Sequence, residues 1–154
     1  MPLSFKKPFT HLALAVIMVF SSFWTGCGKI GDPIPPGTVL PPAVTDLTAR
    51  VEKREIILRW SLPDRHDRVV SMRILRHEHS TSEGCSACSR EYIPLVEAEI
   101  NDARFQRSDK GIYSYHDREI KSGFFYSYLI VACDNLNYCS DKSNMAETDF
   151  QEKD

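Results

Sequence analysis

Glu55-Ile56-Ile57-Leu58-Arg59-Trp60 is the stretch that decides the fold. Ile56, Leu58 and Trp60 fall on one face of an extended chain, with Glu55 and Arg59 on the other. This period of two is the signature of a half-buried β-strand. The pattern recurs downstream. In Ser71 to Arg76, Met72 and Ile74 point inward, Arg73 points outward and Leu75 takes the exposed face. From Gly123 to Ala132, Tyr126, Tyr128, Ile130 and Ala132 share one side. Turn-forming groups separate these runs: Leu62-Pro63-Asp64, Ser108-Asp109-Lys110-Gly111, Lys121-Ser122-Gly123 and Asp134-Asn135. Only Pro94 to Phe105 carries a helical hint, through Leu95, Ala98 and Ala103. The spacing predicts an all-β domain, an antiparallel two-sheet sandwich with Ile56, Leu58, Trp60, Ile74, Tyr126, Tyr128 and Ile130 as its structural core.

The ordered pieces resemble a known family. Pro42-Ala43-Val44, then Leu47, Ala49 and Ile56-x-Leu58-x-Trp60-x-x-Pro63, look like the first two strands of a fibronectin type III domain. Met72 to Arg76 is similar to its third strand, and Asp117, Ile120, Gly123 and Tyr126 to Ala132 to its corner and sixth strand. The likeness runs over residues 43–150, with Cys139 to Ala146 matching poorly. It implies a seven-strand fibronectin/immunoglobulin-like sandwich used for binding and spacing. Trp60 would be the central aromatic, and Tyr126 a corner tyrosine bonded to upstream backbone. A fold of this kind implies no chemistry by itself.

Outward from the domain, the amino-terminal segment changes character. Lys6 and Lys7 precede an apolar run from Leu12 to Trp24, interrupted by Ser21 and Ser22. A positive start followed by a short apolar stretch reads as an export signal over residues 1–26. The run is shorter than the roughly 20 residues of a membrane-spanning helix. Trp24-Thr25-Gly26-Cys27 resembles the bacterial lipobox, which implies lipidation, palmitate included, of Cys27 and a membrane anchor. Gly28 at the next position favours the outer over the inner membrane by the same resemblance. Residues 28–42, GKIGDPIPPGTVLPP, hold five prolines and predict a stiff polyproline tether. The expected order is signal 1–26, lipidated cysteine and tether 27–42, sandwich 43–150 and polar tail 151–154.

The chain has 154 residues, 19 Lys+Arg and 21 Asp+Glu. Without Lys6 and Lys7, 17 basic residues face 21 acidic ones, a net of −4 that argues against a nucleic-acid binder. Cys85, Cys88, Cys133 and Cys139 are disulfide candidates in an exported protein. The opposite ends assigned to their loops favour Cys85–Cys88 and Cys133–Cys139. The alternative is a metal- or thiol-active periplasmic protein, in which His77, His79, Cys85 and Cys88 form a tetrahedral zinc site. Ser71, Ser114, His116 and Asp117 show no hydrolase spacing, and Asp64-Arg65-His66-Asp67-Arg68 reads as a solvated loop. No cofactor is expected. The sequence predicts a non-catalytic, lipid-anchored envelope protein that binds an unidentified envelope partner.

Overall fold

The structure, a computed structural model, describes residues 35–63, 68–82 and 90–152. Cys27, the signal and most of the tether lie outside these residues, as do Cys85 and Cys88. The chain divides into units 1–38 and 39–154. Of the first unit, the described part is a turn in which the Thr38 N–H and hydroxyl both donate to the Pro35 carbonyl.

The described residues of the second unit form eight strands: β1 (Thr48–Glu52), β2 (Glu55–Ser61), β3 (Val69–Ser80), β4 (Ile93–Glu99), β5 (Gln106–Arg107), β6 (Ile112–Asp117), β7 (Phe124–Asp134) and β8 (Ala146–Phe150). They form two antiparallel four-stranded sheets, β1-β2-β6-β5 and β4-β3-β7-β8. The expected all-β sandwich is what the chain forms. It has one strand more than the seven implied by the resemblance, because Gln106 and Arg107 pair with Ser114 and Tyr113 as a short edge.

Register explains the core. Ile56 lies opposite Asp117, Leu58 opposite Tyr115 and Trp60 opposite Tyr113. Directly paired residues share a face, so these side chains point together into the sandwich. On the facing sheet Met72, Ile74, Arg76 and Glu78 pair with Ala132, Ile130, Tyr128 and Tyr126. Trp60 is 1% exposed; Phe105 meets its edge at 6.0 Å and Tyr113 stacks on it at 6.1 Å. Ile56, Leu58, Ile74, Tyr126, Tyr128 and Ile130 are fully buried. Leu75 is half-buried rather than exposed, beside an irregularity in the β3–β4 pairing.

The helical hint at 94–105 is overridden. Residues 93–99 pair with β3 along their length, a tertiary ladder that outweighs a weak local pattern. Pro94 is tolerated because β4 is an edge strand. Two turns then carry the chain to Phe105: Asp102 N–H donates to the Glu99 carbonyl, and Phe105 N–H to that of Asp102.

The poorly matching stretch after Cys139 has its own solution. β8 pairs only with Phe124 to Tyr128, leaving the rest of that edge of β7 to be satisfied. The Ser143 and Ser140 hydroxyls accept from Ile130 N–H at 2.8 Å and Ala132 N–H at 3.1 Å, while the two serine N–H groups donate to the carbonyls of the same residues. Cys133 and Cys139 form a disulfide at the end of this edge.

Candidate functional site

Two buried charged groups, Arg76 and Asp117, meet in one cluster where the two sheets face each other. Asp117, 1% exposed, accepts hydrogen bonds from Arg76 Nη1 at 2.9 and 3.2 Å, from the Tyr128 hydroxyl at 2.8 Å and from Glu119 N–H at 3.1 Å. Arg76 also donates to the Glu119 carbonyl and pairs with Glu78 at 3.0 Å. Burial works to lower the Arg76 pKa, but the hydrogen bonds and charge of Asp117 outweigh it and hold the guanidinium above its ordinary value. Burial first, then Asp117, pushes the Tyr128 phenol far above its usual range. Next to this cluster the Tyr126 hydroxyl accepts from Lys121 N–H at 2.6 Å, closing a tyrosine corner. Arg76 and Asp117 answer each other's charge, Arg76 Nε is buried without a hydrogen-bond partner, and the cluster lines neither of the open hollows at the β5–β6 edge. It is a buried brace between sheets.

The histidines named from sequence lie on the outer face of β3. The rings of His77 and His79 are 5.5 Å apart, His79 packs on Phe125 at 5.0 Å, and His77 Nδ1 is 2.9 Å from the Glu91 carbonyl. Nearby, the Tyr92 hydroxyl meets the Ser127 hydroxyl at 2.7 Å, and Arg90 lies over Phe125 and pairs with Glu147. Among the described residues no three of His, Cys, Asp and Glu gather to hold a metal. Cys133 and Cys139 are bonded at the end of β7 distant from Phe124, which pairs with Ser80.

Ser71, Ser114, His116 and Asp117 do not converge. Ser71 belongs to the other sheet, Ser114 and His116 face outward on β6, and Asp117 faces inward. His116 Nδ1 sits 3.0 Å from Glu55, which also accepts from Arg118 at 2.9 Å. These two contacts, Arg118 first, lower the Glu55 pKa. Of the mixed-charge loop, 64–67 lie outside the described residues, and Arg68 approaches Asp134 at 3.9 Å.

Sequence reasoning missed the β5–β6 edge. A hollow of about 330 Å³ is lined by Ala103, Arg104, Gln106, Tyr115, His116 and Arg118. A second, of about 410 Å³, is lined by Arg59, Gln106, Arg107, Ser108, Lys110, Ile112 and Ser114. Among the described residues neither lining contains a carboxylate. Arg104 is held by Asp102, whose pKa falls to about 2 through the Arg104 hydrogen bonds, and Arg59 stands 3.6 Å from Glu52. The basic spacing Arg104-x-x-Arg107-x-x-Lys110 was the available signal, but Arg118 joins it through the β5–β6 pairing and Arg59 through the β2–β6 pairing.

No family model matches the chain, and no curated protein matches it. Solved structures share its architecture. The twitchin kinase region of C. elegans (Fn31-NL-kin-CRD-Ig26) aligns with 74% of this chain and 17% of its own, at 14% identity and TM-score 0.51. Astrotactin-2, a vertebrate-specific perforin-like membrane protein, aligns over 82% and 25%, at 13% identity and TM-score 0.51. Pectate lyase Pel3 of Pectobacterium carotovorum aligns over 69% and 27%, at 21% identity and TM-score 0.47. The chain therefore spans about a quarter or less of these proteins. At such identities the first two show a shared fold and nothing more.

Proposed function

We propose that the chain is a non-catalytic envelope protein, held to a bacterial membrane, outer rather than inner, through lipidated Cys27. Its sandwich binds a partner at the end of the proline-rich tether. One observation carries the binding half of this reading: the Arg76–Asp117–Tyr128 cluster is turned inward between the sheets, whereas the outer β5–β6 edge is open, hollowed and cationic. The anchoring half is supported by the apolar run ending in Thr25-Gly26-Cys27 and by the proline-rich residues that follow it. Cys27→Ser should release the domain from membranes or leave unprocessed precursor; a variant that matures and fractionates as before overturns the anchor. Crosslinking in intact envelopes should capture a partner on the sandwich.

A second reading keeps a metal- or thiol-active role for His77, His79, Cys85 and Cys88. It is supported by the buried Nδ1 of His79, which has no hydrogen-bond partner, beside His77. Thiol titration and metal analysis separate the readings: Cys85 and Cys88 oxidised without metal support the first, and both as free thiols with one zinc the second.

A further inference from the structure

We propose that the hollowed β5–β6 edge is a binding site for an extended anionic polysaccharide, carboxylated or sulfated, with Arg107 and Lys110 as its main charged contacts. The inference rests on the binding reading above and names the chemistry of the ligand.

The charge is unexpected in this chain. Acids outnumber bases overall, yet among the described residues the two hollows are lined by Arg59, Arg104, Arg107, Lys110, His116 and Arg118 and by no carboxylate. Part of that charge is already answered from outside the hollows: Asp102 holds Arg104, Glu55 holds Arg118 and His116, and Glu52 faces Arg59. Arg107 and Lys110 are different. Arg107 lies over the Tyr113 ring at 5.5 Å, and neither residue has a carboxylate partner among the described residues. Asp109, in the same turn as Lys110, lines neither hollow.

The shape selects a long ligand. Gln106 lines both hollows, so they are adjoining parts of one surface. From Ile112 to Arg118 the edge runs about 20 Å at ~3.3 Å per residue, more than a single small anion covers. The polar groups suit a carbohydrate. Gln106, Ser108 and Ser114 present donors and acceptors for hydroxyl groups, and arginine forks fit carboxylate or sulfate oxygens. A protein interface concentrates its affinity in buried aromatic and arginine anchors, and single-stranded nucleic acid needs exposed rings to stack on. This face has the arginines but no exposed aromatic ring, since Tyr115 is half-buried with its ring against Phe105 at 6.2 Å.

The test uses the full chain in detergent, with heparin as sulfated probe, alginate as carboxylated probe and neutral dextran as control. Titration calorimetry should show binding to at least one anionic polysaccharide, weakening as salt rises, and none to dextran. The pair of probes identifies which acid group is recognised. Arg107→Gln with Lys110→Gln should weaken binding at least tenfold, and Lys110→Glu alone should do so in the same direction. Arg50→Gln with Arg54→Gln, equal in charge but on the exposed β1 hairpin, should leave binding unchanged. All three sets of substitutions are at exposed positions, and unchanged denaturation midpoints confirm that the variants are folded. Absence of binding to both polysaccharides, equal affinity for polyglutamate or single-stranded DNA, or equal loss in the Arg50/Arg54 variant overturns the proposal. If polysaccharide binding fails while envelope crosslinking captures a partner, this inference falls and the binding reading stands.

Discussion

Trp60 and Tyr128 show how differently two buried aromatics hold the same core. Trp60 contributes volume: its ring is enclosed by Phe105 and Tyr113, but its indole N–H is buried with no acceptor. Trp60→Ala should cost about 3–5 kcal/mol, as large core truncations do. Trp60→Phe should cost much less, because it also removes an unpaired donor. Equilibrium denaturation reads both, and a loss under about 1 kcal/mol for Trp60→Ala removes the residue from the core. Tyr128 contributes a proton. Its folded pKa is raised by burial and by Asp117, whereas in an unfolded chain it ionises near about 10. The folded state therefore holds this proton more tightly. That stabilisation is complete below pH ~10 and is lost as the pH rises above it. The urea midpoint should fall more steeply above pH 10 in the parent than in Tyr128→Phe; equal slopes would falsify the coupling. Burial of both rings was legible in the alternating pattern. The orphaned indole and the Asp117 contact were not, because each depends on a neighbour across the fold.

The edge of β7 shows the same division at the level of an element. Its inward residues were readable, yet its outward Leu129 and Val131 are buried as well, and alternation gives no sign of that. Its pairing partner is a strand for half its length and two serine side chains for the rest, so a strand pattern after Cys139 was absent for a physical reason. Ser143→Ala and the disulfide probe this edge separately. Removing the Ser143 hydroxyl strands a buried Ile130 N–H and should cost about 1–3 kcal/mol. Reducing Cys133–Cys139, with a sequence separation of 6, opens a small loop and should cost about 2 kcal/mol while the sandwich remains folded. Chemical denaturation with and without reductant measures the second, and loss of the cooperative transition on reduction would make the bridge a requirement for folding.

On the scale of the whole molecule, the core cluster begins at Val44 and ends at Phe150. A chain starting at Val39 keeps every member of it, so its denaturation midpoint should equal that of the full chain, and a loss above about 1 kcal/mol would show that the sandwich is not autonomous. Asn144 ties the start of that unit to its end, donating to the Leu47 carbonyl and accepting from the Leu47 N–H, each at 2.9 Å. The sequence by itself determined the fold class and the burial of Trp60, Tyr126 and Tyr128, because strand alternation is written in neighbouring residues. The Cys133–Cys139 pairing followed once the fold class placed the cysteine loops at opposite ends. Tertiary structure decided the rest: the Arg76–Asp117 brace across 41 positions, the Asn144 clamp across 97 and the meeting of Arg59 with Arg107 and Lys110 at one edge. Those contacts depend on strand order and register, and register is set by how two sheets fit their side chains together rather than by any local run of sequence.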